Sequence, residues 1–347
     1  MRVLVTGASG FLGSHLVEHS VRAGHHVRAL VRPGSNTARL GDMAGVEPVY
    51  GDLADAGSLR RAVQGVDVVF HSAARVADHG TRAQFWNTNV EGTRRLLAAA
   101  SEAGVARFVF VSSPSALIRL DEGDRFDIDE SVPYPDRWFN LYCETKAVSE
   151  QLVRAANRPG FTTCALRPRG IWGPRDHSGF LPKLLAKMLD GRLPDLSGGR
   201  RVLVSLCHCD NAVAACLGAA SAQAERIGGN AYFVADAERT DLWAFLGHAA
   251  ELFGGRPPTR RIPAPVLDTA VRTAELLWRL PPLAGRREPP LSRYSMALLT
   301  RSATYNTGAA TRDFGYVPVV SQEAGLRQLA DWVESMGGPR TFIRSVA

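Results

Sequence analysis

The chain has 347 residues, enough for one large α/β domain with an attached lobe or for two modest domains. Its 45% hydrophobic and 22% charged residues are typical of an ordinary globular protein. The net charge of +7 comes from arginines spread along the chain, with no aromatic-interleaved basic stretch, which argues against nucleic-acid binding and suits an anionic cofactor.

The five cysteines lack the spacing of a disulfide framework, so we expect a reducing, cytoplasmic environment. Cys207, His208 and Cys209 lie in the alternating run VLVSLCHC, where neighbouring side chains point to opposite faces of a strand. No second ligand pair with zinc spacing follows, so we predict small strand residues here and no metal site. Because the first strand begins at the start of the chain, we also expect no signal peptide.

The first fourteen residues, MRVLVTGASGFLGS, predict a strand, a glycine-rich turn and the start of a helix. An aliphatic run over 3–5 forms the strand, and Gly7, Gly10 and Gly13 follow at intervals of three. The backbone N–H groups of such a turn and the helix dipole favour the phosphates of a dinucleotide. A purely structural turn is the alternative, but the second βα unit that begins at His26 favours the dinucleotide.

The second strand ends in Val31-Arg32, where the ribose of an adenosine is expected to lie. An NAD-selective site places an acidic residue near this point, and here no carboxylate follows closely. Arg32, with help from Ser35 or Arg39, can instead pair with a 2′-phosphate through its forked donors. The sequence therefore predicts NADPH, with a solvated surface arginine as the alternative interpretation.

Strands and helices continue to alternate with short turns, as in a doubly wound parallel sheet. Strands are predicted at GVEPVYGDL, VDVVFHSAA and RFVFVSS, with a long amphipathic helix, FWNTNVEGTRRLLAAASEAG, before the last. The third strand leads to Asp52 and Leu53, where a side chain can meet an adenine. The fourth ends in Ser72, Ala73 and Ala74, small residues that let a cofactor lie flat across the strand tips.

The pattern loosens beyond Ser113. Residues 119–139 are acidic and contain proline, so we expect a loop there, followed by a helix at NLYCETKAVSEQLVRAAN and a strand at TTCALRP. An amphipathic helix over 264–280 is predicted to pack its apolar side inward as part of a lid or lobe. Its charged residues interrupt any membrane-spanning run, and peripheral membrane contact through Trp278 is the alternative.

Tyr142 and Lys146 are four residues apart on one predicted helix and therefore share a face. A lysine ammonium beside a phenol is expected to lower the pKa of the tyrosine and make it a proton donor or acceptor near neutral pH. A lone Y-x-x-x-K is common in amphipathic helices, but here it follows a nucleotide-binding turn. Ser112 and Ser113 end the preceding strand, and a hydroxyl there can hold a substrate oxygen against the phenol.

The motifs TGASGFLGSHLV, GDL, HSAA, NVEGT, VSS, Tyr142-x-x-x-Lys146 and LRPRGIWGP, in this order, resemble the extended short-chain dehydrogenase/reductase superfamily. Within it, LRPRGIWGPRD, CDNA and DFGYVP are similar to the 3β-hydroxysteroid dehydrogenase branch, which includes bacterial 2-alkyl-3-oxoalkanoate reductases. VRALVR is similar to the corresponding stretch of dihydroflavonol reductases. The resemblance covers most of the chain and is specific as a set, although each motif alone is modest.

The resemblance implies an α/β fold, a Rossmann-type doubly wound parallel sheet with a smaller C-terminal substrate-binding lobe. Residues 1–170 are expected to form the NADP-binding domain, to which 202–237 return. Residues 171–347 are expected to form mainly the lobe. A homodimer through the helices that carry 85–103 and 140–157 is a further expectation from the superfamily.

The resemblance also implies roles residue by residue. Ser113 matches the catalytic hydroxyl, Tyr142 the general acid/base, and Lys146 the lysine that holds the cofactor ribose. Pro168 matches the proline that contacts the nicotinamide amide. The residues implied to contact NADPH are Gly7, Ser9, Gly10, Phe11, Leu12, Gly13, Arg32, Asp52, Leu53, Ser72, Ala73, Ala74, Asn89, Val111, Tyr142, Lys146 and Pro168.

We therefore predict an NADPH-dependent ketoreductase in which hydride passes to a ketone carbon and Tyr142 protonates the developing alkoxide. The helix over 264–280 and the apolar residues Trp172, Phe180 and Leu181 suggest a pocket for a hydrophobic ketone. A β-keto acyl, polyketide or sterol-like compound would fit, either free or bound to a carrier protein.

Two alternatives remain. Sugar-nucleotide epimerases and dehydratases, which use NAD, usually carry Tyr-Gly shortly after the serine and favour Asn-Val-Tyr-Gly-Pro later. This chain has Ala-Leu-Ile-Arg and Gly-Ile-Trp-Gly-Pro at those places, which argues against a nucleotide-sugar substrate. The steroid enzymes commonly use NAD, so Arg32 also argues against a simple steroid oxidase. A non-catalytic NADPH-binding protein is the second alternative, and it would need no phenol beside a lysine.

Overall fold

The structure, a computed structural model, describes residues 1–41, 43–78, 80–177, 179–262, 264–277 and 292–346. Within the last helix before the 278–291 gap, the side chains of 264, 265, 268 and 275 are also left undescribed. Trp278 and the final positions of the helix predicted over 264–280 therefore lie outside the described residues.

The described strands and helices follow the alternation predicted for the first half of the chain. The strands are β1 (Arg2–Thr6), β2 (His26–Val31), β3 (Val46–Tyr50), β4 (Val68–His71), β5 (Arg107–Val111), β6 (Arg125–Ile128), β7 (Thr162–Pro168), β8 (Ile171–Trp172), β9 (Leu203–Ser205), β10 (Cys207–His208), β11 (Ala231–Val234), β12 (Arg239–Asp241) and β13 (Ala303–Tyr305). The helices are α1 (Phe11–Arg22), α2 (Ala38–Gly41), α3 (Ala56–Ala62), α4 (Arg82–Phe85), α5 (Gly92–Glu102), α6 (Leu141–Ala155), α7 (Phe180–Leu189), α8 (Cys209–Ser221), α9 (Ala224–Ile227), α10 (Leu242–Leu252), α11 (Ala264–Leu277), α12 (Arg293–Thr300), α13 (Gly308–Phe314), α14 (Gln322–Ser335) and α15 (Pro339–Val346). A π-helix over Trp86–Glu91 joins α4 to α5, and a 3₁₀-helix over Pro114–Leu117 follows β5.

A seven-stranded parallel sheet with the order β11-β7-β5-β4-β1-β2-β3 forms the centre of the fold. The chain runs outward from β1 in one direction and from β4 in the other, so the strand order reverses between these two strands. In doubly wound sheets, ligands bind outside the carboxyl ends of the strands at such a point. The predicted Rossmann-type sheet is confirmed, and its switch point places the glycine turn after β1 beside the end of β4.

Both faces of this sheet are covered, which explains its nearly continuous apolar strands. Val3 and Val5 of β1 pack with α1 and α8 on one face, whereas Leu4 packs with α3 and α5 on the other. The alternation of side chains along a strand requires this division. The sheet is therefore a buried platform whose carboxyl edge is left for the connecting loops.

A second sheet differs from the sequence-based expectation for 119–139. This stretch contains β6, which joins a four-stranded sheet with the order β12-β9-β13-β6. The strand has only partly buried and exposed residues, so it lacks the apolar pattern by which a strand is recognised. The run VLVSLCHC is likewise split, because β9 pairs in this sheet, β10 pairs with β8, and Cys209 begins α8.

The C-terminal part has its own hydrophobic core, centred on Trp172. This indole is fully buried, packs edge-on against Phe245 at a centroid distance of 5.0 Å, and donates its N–H to Asp236 at 2.9 Å. Leu181 is 1% exposed in the same cluster, and Phe180 packs against its rim. Trp172 and Leu181 are therefore core residues, and the suggestion that they line a substrate pocket is wrong.

Helix α11 covers the described part of the predicted amphipathic helix. Leu267 and Val271 are buried, whereas Val266, Leu276 and Leu277 are exposed. Within the part of the chain that the structure describes, no helix combines the length and apolarity needed to cross a bilayer. Peripheral membrane contact stays a prediction.

A buried ion pair fastens α6 to β7. Arg167, 2% exposed, donates from Nη2 to Glu150 Oε1 at 2.6 Å and from Nε to Oε2 at 3.0 Å, and Glu150 is fully buried. Tyr134 also donates to this carboxylate, and the guanidinium lies 5.1 Å from the centre of the Phe233 ring. The Arg167 charge holds the pKa of Glu150 below its usual range even though burial opposes this.

We predict that Arg167→Met lowers the free energy of unfolding by about 3–5 kcal/mol, because it leaves Glu150 buried and unpaired. Urea denaturation followed by circular dichroism measures the change. The double variant Glu150→Leu/Arg167→Met should recover most of the loss, since both charges are then gone. Arg327→Met, which breaks an exposed pair with Glu323, is the control and should change stability by no more than about 1 kcal/mol. A loss in Arg167→Met as small as the control's would contradict the prediction.

Candidate active site

The glycine turn after β1 is packed so tightly that side chains are excluded from it. Gly7 has a φ of +69°, and a Cβ on it would lie 3.0 Å from the backbone of Ala73. A Cβ on Gly13 would lie 1.9 Å from the Gly7 carbonyl oxygen. Helix α1 begins at Phe11 with no acidic residue in its first turn and no side-chain cap, so its first N–H groups are left for a ligand.

The predicted phosphate contacts surround this turn. Ser9 and Gly10 are exposed in it, Phe11 is half-buried, and Leu12 and Gly13 are buried in the first turn of α1. The structure therefore brings the turn residues together as a backbone cradle at the switch point of the sheet.

Hydrogen bonds join the ends of β1 and β4 beneath the cradle. Thr6 Oγ1 lies 2.8 Å from His71 Nδ1, and His71 Nε2 lies 2.9 Å from Thr93 Oγ1. Ser72 donates its hydroxyl to the Thr6 carbonyl at 2.8 Å. Burial, followed by the nearby Lys146 charge, lowers the pKa of His71 to about 3, so the ring is neutral and structural.

The small residues that follow β4 are held by Asn89, which lies in the π-helix. Asn89 Oδ1 accepts from the Arg75 backbone N–H at 2.7 Å, and its Nδ2 donates to Thr145 Oγ1 at 3.0 Å. Ala73 and Ala74, just before Arg75, are half-buried beside the cradle. The Asn89 side chain thus fixes this loop against α6, a role that the predicted cofactor contact did not include.

The residues predicted to meet the adenosine end lie along the tips of β2 and β3. Arg32 is exposed directly after β2. Asp52 is half-buried and accepts from the Ala54 N–H at 2.8 Å, and Leu53 is 8% exposed and packs against Gly92. This arrangement leaves the Arg32 guanidinium extended into solvent at the end of the strand.

Ser113 and Tyr142 approach each other at the carboxyl edge of the sheet. Ser113 starts the 3₁₀-helix after β5, and its Oγ donates to Ser115 Oγ at 3.0 Å. Tyr142 is in the first turn of α6, which is capped by Asn140 through the Cys143 N–H at 2.9 Å. Burial raises the pKa of Tyr142 to about 12, and a hydrogen bond with Ser113 opposes the rise. The phenol is therefore neutral.

Lys146 contacts the end of β5. Its Nζ donates to the Val111 carbonyl at 2.5 Å and lies 4.3 Å from the centre of the Phe110 ring. The side chain is buried, which lowers the pKa of the ammonium to about 7, while Glu150 opposes the shift. The prediction that Lys146 lowers the pKa of Tyr142 is wrong for this structure, because burial of the phenol outweighs the other effects.

Tyr294 is a site residue that sequence reasoning missed. Its hydroxyl lies 2.6 Å from Ser115 Oγ, and its ring centre lies 6.5 Å from that of Tyr142. It comes from α12, which is 179 residues from Ser115 along the chain, so no local pattern could have indicated it. Burial raises its pKa well above the usual value.

Two further features frame the site. Pro168, the last residue of β7, is buried and pairs with β11. Asp78 accepts from the side chains of Asn140, at the start of α6, and Ser292, at the start of α12. One carboxylate therefore joins the helix that carries Tyr142 to the helix that carries Tyr294.

A cluster of metal-ligand residue types lies apart from this site. Within the described residues, His15, Cys209 and Asp210 have ligand atoms within 4.8 Å of one another. His15 and His19 both contact Asp210 Oδ1, at 3.1 and 3.2 Å, and burial raises the pKa of the Cys209 thiol. The carboxylate is satisfied by imidazoles and the thiol stays protonated, so the cluster needs no ion, and the absence of a metal stays a prediction.

The chain matches the model of the 3-beta hydroxysteroid dehydrogenase/isomerase family over residues 4–264. It is 39% identical over 329 residues to the 4-hydroxy-2-methyl-3-oxo-4-farnesyl-3,4-dihydroquinoline-1-oxide ketoreductase of Stigmatella aurantiaca, covering 95% of this chain and 96% of that protein. It is 37% identical over 332 residues to the 2-alkyl-3-oxoalkanoate reductase of Stenotrophomonas maltophilia, covering 95% and 98%. UDP-glucuronic acid 4-epimerase from Bacillus cereus, solved with NAD, has a TM-score of 0.72 over 97% of this chain and 99% of that one. At 19% identity, that likeness shows the fold alone.

Lys146 gives the stability of the cofactor-free protein a specific pH dependence. Because its pKa falls from 10.5 to about 7 on folding, the unfolded chain binds a proton between these values that the folded chain lacks. The free energy of unfolding should therefore rise with pH in this window, relative to Lys146→Met, by at most about 1.4 kcal/mol per pH unit. Urea unfolding of both proteins at several pH values from 7 upward measures the difference.

Lys187→Met, at an exposed position of α7, is the control for losing a lysine. Parallel stability curves for the wild type and Lys146→Met would show that the buried ammonium does not titrate in this window.

Proposed function

Because the chain belongs to the 3-beta hydroxysteroid dehydrogenase/isomerase family, a branch of the extended short-chain dehydrogenases/reductases, we propose that it is an NADPH-dependent reductase of a hydrophobic ketone. The observation that carries the proposal is the meeting of the Ser113 hydroxyl and the neutral Tyr142 phenol beside the glycine cradle. The 39% and 37% identical relatives, a ketoreductase and a 2-alkyl-3-oxoalkanoate reductase, support ketone reduction.

The cradle fits a dinucleotide. Gly7 and Gly13 let the turn pack against Ala73 and against α1, because a Cβ on either would meet protein backbone, and the uncapped start of α1 offers N–H groups to a pyrophosphate. Bound NADPH supplies the hydride. Gly10, Phe11 and Leu12 would hold the phosphates, and Lys146 the ribose. The remaining predicted contacts border the cradle on neighbouring strand tips.

Tyr142 holds the proton that the reduction needs. A phenol whose pKa is raised to about 12 stays protonated at neutral pH and donates to an oxygen only as negative charge develops there. The Ser113 hydroxyl would donate a second hydrogen bond to the same oxygen. The Ser115 N–H holds the Ser113 oxygen at 3.2 Å, and the capped start of α6 holds Tyr142, so the phenol is in place before the reaction and stabilises the transition state more than the ground state. Ser113 would turn its single proton from Ser115 Oγ to the substrate oxygen.

The substrate would enter a cavity whose lining includes Pro114, the residue after Ser113. The 3₁₀-helix after Ser113, β6 and α12 line it, and most of its wall is apolar. The names of both relatives describe ketones with an alkyl or farnesyl group, which supports a hydrophobic substrate. This cavity replaces the pocket that the sequence placed around Trp172.

We predict that Tyr142→Phe lowers kcat for a hydrophobic 3-oxo ester by about 10²–10⁴-fold, because it removes the general acid. NADPH oxidation measures turnover, and fluorescence titration should show nearly unchanged NADPH binding. Tyr50→Phe, at a tyrosine 58% exposed on β3, is the matched control and should keep full activity. Near-full turnover in a folded Tyr142→Phe would rule out this mechanism.

Arg32 should set the preference for NADPH. We expect Arg32→Ala to reduce the ratio of kcat/KM with NADPH to that with NADH by about tenfold or more, since a hydrogen bond between charged groups is lost. The exposed Arg60 of α3 provides the control variant Arg60→Ala, which should leave the ratio unchanged. If wild type already used both cofactors equally, Arg32 would be only a surface residue.

A further inference from the structure

Arg169, directly after Pro168, is a buried cation that the proposed mechanism does not use. It is 8% exposed, its Nε has no hydrogen-bond partner, and Nη1 reaches only the Ala303 carbonyl at 3.4 Å. Among the residues that the structure describes, none offers a carboxylate to this guanidinium. Burial accordingly lowers its pKa from the usual value.

Arg167, two residues earlier, shows how the fold treats a structural arginine. It is 2% exposed, and although its Nη1 has no hydrogen-bond partner, the guanidinium makes three hydrogen bonds to Glu150 at 2.6–3.2 Å. An ionised group taken out of water without a counter-charge costs several kcal/mol. The unpaired Arg169 therefore opposes folding, which is expected of a group that is kept for a ligand.

The cavity that Arg169 lines has one apolar wall, and its charged lining residues are four arginines and Glu122. Its apolar wall includes Pro114, Leu117, Ile118, Ile128, Val132 and Leu298. Arg119 and Arg125 also line it but are paired with Glu122. Arg301 donates only to the Leu120 carbonyl, at 3.4 Å, among the hydrogen-bond acceptors of the described residues. Its charge helps to lower the pKa of Asp121, so this second cation beside Arg169 has an acidic neighbour without a hydrogen bond to it.

The cavity lies one residue from Ser113 along the chain, although neither Ser113 nor Tyr142 is among its lining residues. Its lining begins at Pro114, the residue after Ser113, and Tyr294 interacts electrostatically with Arg169. The Tyr294 hydroxyl is linked through Ser115 to Ser113, and its ring faces Tyr142. An anion held by Arg169 would thus lie close to a ketone held by Ser113 and Tyr142.

We propose that Arg169 binds the carboxylate of the substrate, which makes the substrate a 3-oxo carboxylic acid whose alkyl part lies on the apolar wall. The planar guanidinium matches a carboxylate through two parallel hydrogen bonds, which a lysine cannot supply. The proposal rests on the proposed ketone reduction and deepens it: the buried charge distinguishes the acid from neutral ketones. Arg301 contributes a second positive charge.

The test uses a 2-alkyl-3-hydroxyalkanoate and its methyl ester, with NADP⁺, because the hydroxy acid is chemically stable. In this direction the C3–H bond breaks, hydride reduces NADP⁺, and the hydroxyl proton leaves to solvent, which gives the 3-oxo product. Wild type should prefer the acid over the ester. Arg169→Met should lower kcat/KM for the acid by about 30-fold or more and leave the value for the ester nearly unchanged. Arg169→Lys should restore only part of the loss.

The stability of the Arg169→Met variant distinguishes a binding role of Arg169 from a structural role. Urea unfolding should find Arg169→Met at least as stable as wild type, in contrast to Arg167→Met, because it removes an unpaired charge. A marked loss of stability, an equal loss of activity on acid and ester, or no preference of wild type for the acid would each overturn the proposal.

Calorimetric titration of the hydroxy acid, without cofactor, keeps this proposal distinct from the proposed function. Binding that Arg169→Met abolishes, with no turnover in wild type, would support the carboxylate site and contradict ketone reduction. Turnover that is equal for the acid and the ester would support ketone reduction and contradict the carboxylate site.

Discussion

The buried pair between Glu150 and Arg167 sets the geometry on which the site depends. Glu150 lies one turn beyond Lys146 on α6, the helix that also carries Tyr142, and Arg167 immediately precedes Pro168 on β7. The pair therefore fixes the helix that carries Tyr142 against the strand that ends at Pro168. Its low exposure strengthens the interaction and also makes the loss of either partner costly. Charge complementarity therefore sets the position of α6 on β7, where apolar packing alone would allow the helix to shift along the strand.

Three buried cations, Arg167 of this pair and its neighbours Lys146 and Arg169, differ in how many hydrogen bonds the protein supplies to them. Arg167 has a full carboxylate partner, Lys146 has one carbonyl and an aromatic ring, and Arg169 has only a distant carbonyl. The fewer hydrogen bonds the protein supplies to a cation, the more contact with ligands we expect that cation to have. This is the pattern of a site that becomes complete only when its anionic ligands are bound.

Local features of the site could be predicted from the sequence, whereas features formed by distant segments could not. Gly7, Gly13 and the spacing of Tyr142 from Lys146 lie within short stretches whose geometry follows from turn and helix periodicity. Tyr294 reaches Ser115 across 179 residues, and no periodicity reports such a contact. Burial was the other unknown: the spacing places Lys146 on the face of Tyr142, but only the packed structure shows that Lys146 turns to Val111. The domain division, the homodimer and the cytoplasmic location stay predictions.

The hydrogen bonds of Asp78 limit how segments can be exchanged between related enzymes to change their substrates. Its carboxylate accepts from Asn140 and Ser292, so the start of α12 is joined to the start of the helix that carries Tyr142. A chimera that grafts the C-terminal segment of one relative onto the nucleotide half of another must keep a donor at position 292. Without one, the transplanted segment would lose its hydrogen bond to Asp78 and with it one link between α12 and the helix that carries Tyr142. Recombination is thus constrained at a residue that touches neither reactant.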